Sequence, residues 1–331
     1  MTAGRHLRDW VRADFGVDLA SVDAVSHGAD VAAQLWRAVA ADGTPYAVKL
    51  TGGGTTAGLL VTAHLAELGV DGVAAPVRSR DGHLWTERAG RRLSVAPWVS
   101  DAQALAGGMS AAHWRSFGAL LSAAHATVVT GELADVLPRE DHTHDGLASL
   151  VRDLDARLHE SPDGADDVTR AVADAWCAGA DRVALVLAQA DRLGAALRGR
   201  DARHVVCHGD PHLGNLLVGD GGAVWLVDWD DAVLAPPERD LMFVVGGLPG
   251  FAPVDAQQRA WFFEGYAGEE LDQDRLVYYR SVRALVDAAD WAAQAADPDS
   301  RTDDERARAL TIVRGVLAPD GLVELALAPP E

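Results

Sequence analysis

The sequence predicts an α+β protein with two lobes, a small sheet-containing N-terminal lobe and a larger, mostly helical C-terminal lobe. Two observations support this fold class. Short strand-like runs between turn residues occupy most of the first third, and apolar residues at helical spacing occupy most of the remainder. With 331 residues, of which 49% are hydrophobic, the chain is long enough for two cores. We place the boundary at Pro97, which gives lobes of residues 1–97 and 98–331.

In the first third, predicted strands surround a single internal helix. Apolar residues at helical spacing predict an opening helix at residues 5–15. Strands are then expected at 22–27, 34–39, 45–50, 73–77 and 83–86, and the internal helix at 56–68. An apolar run at 93–100 is interrupted by Pro97 and followed by the glycines at 107–108. This break favours a hinge between the lobes.

Helices dominate the rest of the chain. Their predicted ranges are 112–127, 146–159, 166–198, 253–266, 274–296 and 303–316. The strong strand signal lies at 204–230, where Leu-Leu-Val at 216–218 and Val-Trp-Leu-Val at 224–227 flank an Asp-Gly-Gly turn. This pattern predicts a hairpin.

Polar residues with hard oxygen atoms surround this hairpin at fixed spacings. Asp210 lies in the tripeptide His-Gly-Asp, Asn215 follows five residues later, and Asp228 follows the return strand. The hairpin is expected to bring Asn215 and Asp228 together, and a carboxamide beside a carboxylate suits Mg²⁺. Asp210, on the preceding loop, would face the same point as a base. This arrangement is typical of a kinase catalytic loop and its metal site.

A kinase also needs a cation on the nucleotide phosphates, and Lys49 on a predicted strand fits that need. It is the only lysine in the chain, which otherwise uses arginine as its basic residue. The loop that contains Gly28 and Asp30 would lie over the phosphates. In protein kinases a helix glutamate pairs with the strand lysine, but the helix after Lys49 offers only Glu67, at its far end. Lys49 is therefore either held by another residue or reached by Glu67.

Composition narrows the possible partners and location. The net charge of −20 disfavours nucleic acid, whose phosphates it would repel, and favours small cations. No apolar run is long enough for a membrane helix, and the N-terminus lacks a signal-peptide core, so we expect a cytoplasmic protein. Cys177 and Cys207 lie in apolar surroundings, and we expect both to be buried free thiols.

Taken together, Lys49, His208-Gly-Asp210, Asn215 and Asp228-Trp-Asp230 resemble the aminoglycoside phosphotransferases, protein-kinase-like enzymes that phosphorylate antibiotic hydroxyls. Three C-terminal strings resemble the spectinomycin phosphotransferase branch of this family. They are Leu-Ala-Pro-Pro-Glu-Arg-Asp-Leu-Met-Phe at 234–243, Glu-Gly-Tyr at 264–266 and Tyr-Tyr-Arg at 278–280. The likeness covers nearly the whole chain and is looser in the N-terminal half.

The resemblance implies a nucleotide site built on both predicted lobes. Asp210 would be the catalytic base or the residue that orients the substrate hydroxyl. Asn215 and Asp228 would hold Mg²⁺, and Lys49 would contact the α- and β-phosphates of ATP or GTP. Backbone groups near Ala96 and Trp98, at the hinge, would bind the base.

The substrate is expected to be a cationic antibiotic, because acidic residues directly follow the metal site and could receive ammonium groups. The candidate substrate residues are Asp230, Asp231, Glu238, Tyr266, Asp287 and Trp291. Two alternatives remain. One is a kinase for another small hydroxylated amine or biosynthetic intermediate, and the other is a catalytically dead module that binds an antibiotic.

Overall fold

The computed structural model describes residues 2–25, 33–160, 165–248, 250–268 and 270–328. Over these residues the chain is α+β, as predicted. By the compactness of its internal packing it divides into two units, each assembled from separate stretches of chain. The first comprises Met1–Arg139, Val205–Ala235 and Gln257–Gly268, and the second comprises Glu140–His204, Pro236–Ala256 and Glu269–Glu331. The predicted lobe boundary at Pro97 stays a prediction.

The first unit begins with helix α1 and an antiparallel sheet, whose five strands lie in the order β1-β2-β3-β5-β4. These elements are α1 (Thr2–Phe15), β1 (Leu19–Ala24), β2 (Ala33–Ala40), β3 (Pro45–Thr51), α2 (Ala57–Glu67), β4 (Thr86–Arg88) and β5 (Arg91–Pro97). Leu7, Val11 and Phe15 of α1 pack on apolar residues of the sheet, including Val48 and Val95. Burial of this one face explains why an amphipathic segment becomes a helix here.

The predicted strand at 73–77 is wrong. Val73 forms an isolated bridge with Leu226, and the N–H of Val77 donates to the carbonyl of Val95 at 2.7 Å, but no strand results. The strand expected at 83–86 begins at Thr86 instead.

The remaining elements of the first unit include two pairs of short strands. They are α3 (Ala104–Gly107), α4 (Ala111–Ala126), α5 (Glu132–Val136), β6 (Val205–Cys207), β7 (Leu216–Val218), β8 (Val224–Leu226), β9 (Val233–Ala235) and most of α9 (Ala256–Tyr266). Strands β7 and β8 form the predicted hairpin, and β6 pairs with β9. The segments between these strands carry the predicted catalytic and metal residues.

The second unit is helical. It contains α6 (Asp145–His159), α7 (Asp167–Leu197), α8 (Glu238–Leu241), α10 (Gln273–Ala295), α11 (Asp303–Val316) and α12 (Leu322–Leu327). The buried Arg306 of α11 donates two hydrogen bonds to Asp166, which caps the start of α7. The six long helices predicted along the two units form close to their expected bounds.

The cysteine prediction is half right. Both thiols are free, and Cys207 is buried in β6, but Cys177 is exposed. Cys177 follows the fully buried Trp176 on α7, and the helical turn places neighbouring positions on different faces. None of the helices in the described part of the chain combines the length and hydropathy that a membrane crossing requires.

Candidate active site

The loop after β6 is held by the buried imidazole of His208. Its Nε2 lies 2.9 Å from the carbonyl oxygen of Val227, and the backbone N–H of Asp210 lies 3.2 Å from its Nδ1. Because a carbonyl only accepts, Nε2 carries the proton and Nδ1 accepts from Asp210. The His208 ring also packs edge-on against Trp229 at 4.7 Å. One side chain thus links the Asp210 loop to the segment that follows β8.

Asp210 is largely enclosed and has two polar neighbours on its own loop. Nε2 of His212 lies 3.4 Å from Oδ2 of Asp210, while Nδ1 of His212 accepts the N–H of Gly214. The amide nitrogen of Asn215 donates to the backbone carbonyl of Asp210 at 2.9 Å. That bond orients the carboxamide and uses its nitrogen, so Oδ1 is the Asn215 atom suited to a metal ion.

Two backbone features bring the loop and the post-β8 segment into close contact. Gly209 has φ +88°, and a Cβ at this position would lie 2.4 Å from the carbonyl oxygen of Asp231. Asp228 also has left-handed backbone angles, φ 63° and ψ 59°. Such angles cost energy for a residue other than glycine and cluster at functional sites. Asp228 then leads into a short 3₁₀ turn, Trp229–Asp231.

The amine of Lys49 forms ion pairs with two carboxylates of this segment. On β3, Lys49 pairs with Leu35 of β2 and Ser94 of β5. Its Nζ lies 2.9 Å from Oδ1 of Asp228 and 2.8 Å from Oδ2 of Asp230. Burial alone would lower the pKa of Lys49, but the charges and hydrogen bonds of the two carboxylates outweigh it and raise that pKa above its ordinary value. Lys49 is therefore fully protonated in any physiological buffer, as phosphate binding requires.

Helix α2 supplies no carboxylate to Lys49. Its one acidic residue, Glu67, is mostly exposed and bonds Arg78 at 2.8 Å. The helix instead lies directly on the 3₁₀ turn, because a Cβ on Gly58 would stand only 2.3 Å from the carbonyl oxygen of Trp229. Of the two options that the sequence leaves open for Lys49, the structure shows the first, a partner outside the helix.

The residues predicted to bind the nucleotide base lie at the end of β5. Ala96 pairs with Ala47 in the sheet. The backbone N–H of Trp98 donates to the carbonyl of Pro45 at 3.1 Å, and its indole donates to Asp101 at 2.7 Å. The Trp98 N–H is thus engaged in the sheet. The role of both residues stays a prediction, and Gly28 and Asp30 lie outside the described residues.

The predicted substrate residues of the first unit have different surroundings. Asp230 contacts Lys49, as described above. Asp231 is exposed at the end of the 3₁₀ turn. Tyr266 is buried, and its hydroxyl lies 2.7 Å from Nδ1 of His125. Asp231 is therefore more exposed than Asp230, whose carboxylate lies against Lys49.

In the second unit, Glu238 is only 4% exposed. Its Oε1 accepts the backbone N–H of Asp272 at 2.9 Å, whereas its buried Oε2 has no hydrogen-bond partner within the described ranges. Asp287 forms an ion pair with Arg283 at 3.0 Å, and Trp291 is half-buried on α10. Their roles toward a substrate stay predictions.

Sequence reasoning assigned no role to His208, His212 or Gly58. The first two lie inside the motif that drew attention to the loop, and their histidine type was the available signal. Gly58 is the second residue of α2, and glycine within a helix is unfavourable without a packing reason, so its position was also a signal.

Residues 59–285 match the model of the phosphotransferase enzyme family, APH. The chain belongs to this family. No curated protein sequence gives a significant match.

Among solved structures, spectinomycin phosphotransferase APH(9)-Ia in complex with ADP and spectinomycin is similar at a TM-score of 0.88 and 24% identity, over 98% of each chain. The AMP-bound complex of the same enzyme is similar at a TM-score of 0.85 and 22% identity, over 99% of each chain. Amicoumacin kinase hAmiN in complex with AMP-PNP, Ca²⁺ and Ami is similar at a TM-score of 0.61 and 16% identity, over 97% of this chain and 96% of that one. The kinase-like fold is therefore confirmed, with an antiparallel sheet in the N-terminal part and helices dominating the rest.

Proposed function

We propose that this phosphotransferase moves the γ-phosphoryl group of ATP to a hydroxyl of an aminocyclitol or aminoglycoside antibiotic, with spectinomycin as the leading candidate, and so confers resistance. The observation that carries the proposal is the assembly of Lys49, Asp210, Asn215 and Asp228 in one compact unit. The whole-chain likeness to a spectinomycin phosphotransferase supports the choice of substrate, and the net charge of −20 suits a cationic one.

Each residue has a distinct part in the proposed reaction. Asp210 accepts or orients the proton of the substrate hydroxyl, and His212 and Asn215 hold the loop on which it lies. Lys49 binds the α- and β-phosphates with a permanent positive charge. Gly28 and Asp30 cover the phosphates, and the hinge around Ala96 and Trp98 binds the base. Phosphoryl transfer depends mainly on alignment of the reacting groups and neutralisation of charge on the phosphates, and this arrangement is suited to both.

A divalent metal fits the donors present. Oδ1 of Asn215 and the half-exposed carboxylate of Asp228 are hard oxygen ligands of the kind that Mg²⁺ prefers. When bound, Mg²⁺ would neutralise charge on the phosphate oxygens. The left-handed backbone of Asp228 directs this carboxylate toward Lys49, so the proposed metal and phosphate ligands lie side by side.

Recognition of the substrate is proposed to rest on carboxylates. Asp231 is exposed, and we propose that its carboxylate contacts an ammonium group of the substrate. The Oε2 atom of Glu238 is buried with no hydrogen-bond partner among the described residues, and we propose Glu238 as a second carboxylate of the substrate site. Tyr266, Asp287 and Trp291 are the proposed walls of the substrate site.

A panel of aminocyclitols and aminoglycosides with γ-labelled ATP or GTP tests the proposal in the purified protein. The expected result is labelled spectinomycin with ATP, and loss of product in the Asp210→Ala variant. Transfer to a different amine with the same dependence on Asp210 would keep the kinase and replace the substrate. Tight antibiotic binding without transfer would show a binding module instead.

A further inference from the structure

A lysine that binds phosphates must be held in place. Its four-carbon stem is flexible, and ordering it costs conformational entropy that a fixed partner reduces at the moment of binding. In protein kinases a helix glutamate is that partner. Here the single acid of α2, Glu67, is bonded to Arg78 at the exposed end of the helix, so it is not available to Lys49.

The carboxylates that reach Lys49 come from the 3₁₀ turn instead. Among the described residues, the hydrogen bonds of its amine go to Asp228 and Asp230. Asp228 is the carboxylate that would hold the proposed metal, and Asp230 is then the one that remains for the lysine. The two contacts are of nearly equal length, 2.9 Å to Asp228 and 2.8 Å to Asp230, and the Asp230 side chain is the less exposed.

We infer that Asp230 is the positioning residue for Lys49, in the part that a helix glutamate has in protein kinases. This inference rests on the proposed kinase function and deepens it.

The turn is built to keep these two carboxylates together. Trp229 between them is buried, donates its indole N–H to the carbonyl of Leu226 at 2.9 Å and packs against His208. Gly58 lets α2 lie on the backbone of the same residue. A rigid central residue with a carboxylate on each side therefore fixes the lysine and the proposed metal ligand as one piece. In protein kinases these two parts come from different elements, a helix and a loop.

The test neutralises one carboxylate at a time, with Asp230→Asn, Asp228→Asn and Asp220→Asn. Asp220 is an exposed acid in the β7–β8 turn and serves as the matched control for the loss of one charge. Because Lys49 is the only lysine, its reaction with an amine-directed acylating reagent can be followed on the single peptide that contains residue 49. This readout needs neither a nucleotide nor a substrate.

Asp230→Asn should raise the acylation rate of Lys49 about tenfold, the effect of losing one charged hydrogen bond. With the substrate that the panel identifies, kcat should fall about tenfold or more, the half-saturating Mg²⁺ concentration should stay unchanged, and Asp230→Glu should recover most of the loss. Asp220→Asn should match wild type in every measurement. Asp228→Asn removes the other partner of the amine and should also raise the acylation rate, but unlike Asp230→Asn it should raise the Mg²⁺ requirement.

Two results would overturn the inference. Acylation of Lys49 in Asp230→Asn at the wild-type rate would show that Asp230 does not hold the amine. A raised half-saturating Mg²⁺ concentration in Asp230→Asn, like that expected for Asp228→Asn, would show that Asp230 is a metal ligand. If no panel compound is phosphorylated, the proposed substrate fails, but the acylation experiment still decides the part of Asp230.

Discussion

The buried imidazole of His142 should make the free energy of unfolding fall as the solution is acidified. Burial, assisted by Arg275 and His204, lowers the pKa of His142 from 6.5 to about 4, although Asp141 acts in the opposite direction. Between these two values the unfolded chain binds a proton that the folded protein rejects. Stability from this group is therefore complete above pH 6.5 and is lost as the pH falls toward 4.

The size of the effect follows from the gap between the two pKa values. The full gap is worth about 3 kcal/mol, and about 2 kcal/mol of it is already lost at pH ~5. His142 is 4% exposed, and its Nε2 lies 3.4 Å from the hydroxyl of Tyr279. This burial keeps solvent from relieving the cost of the charge.

Urea unfolding of wild type and His142→Asn at pH ~7.5 and ~5 measures the effect. Asparagine tolerates the left-handed backbone of this position, φ 60°, and does not titrate. Between these two pH values the free energy of unfolding should fall by about 2 kcal/mol more in wild type than in the variant. The matched control is His83→Asn at an exposed histidine, which should keep the wild-type loss. An equal loss in wild type and His142→Asn would refute the reasoning, because the pH dependence would then arise from other groups.

Further predictions concern the active site. Asp210→Ala should fold normally, and its kcat in steady-state kinetics should be lower than that of wild type by at least about tenfold. A variant that keeps more than about a tenth of the wild-type kcat would exclude Asp210 as base or orienting group. Gly58→Ala should lower the midpoint of thermal unfolding and kcat together, since its Cβ meets the carbonyl of Trp229 at 2.3 Å and overpacking costs about 1–3 kcal/mol. Unchanged values for both would mean that α2 can move away from the turn. Glu238→Gln should raise KM for the cationic substrate several-fold, roughly 1 kcal/mol, and leave KM for ATP unchanged. Asp231→Asn should weaken the rise of that KM with added KCl, because salt screens an exposed carboxylate; equal salt dependence in wild type and variant would remove Asp231 from the substrate site.

The sequence by itself determined the features that depend on local pattern. Long helices such as α7 and α10 follow from apolar residues at helical spacing, and the β7–β8 hairpin follows from two apolar runs around Asp-Gly-Gly. The candidate chemistry was equally visible, because Asp210, Asn215 and Asp228 occupy one short segment and their donor atoms suit a metal and a proton transfer. The same reasoning failed for residues 73–77, which are mostly half-buried and bond their neighbours at single points without forming a ladder.

Only the tertiary structure decided which distant groups meet. Lys49 and Asp230 are 181 positions apart, and no local pattern specifies that their side chains lie 2.8 Å from each other. The left-handed backbone of Asp228 is likewise held by its surroundings, since its own preference opposes it. Spacing along the chain sets which residues share a turn or a face, whereas a contact between separate segments depends on how the whole core packs. The lysine and the metal motif could therefore be identified from the sequence, whereas the contact of Asp230 with Lys49 could not.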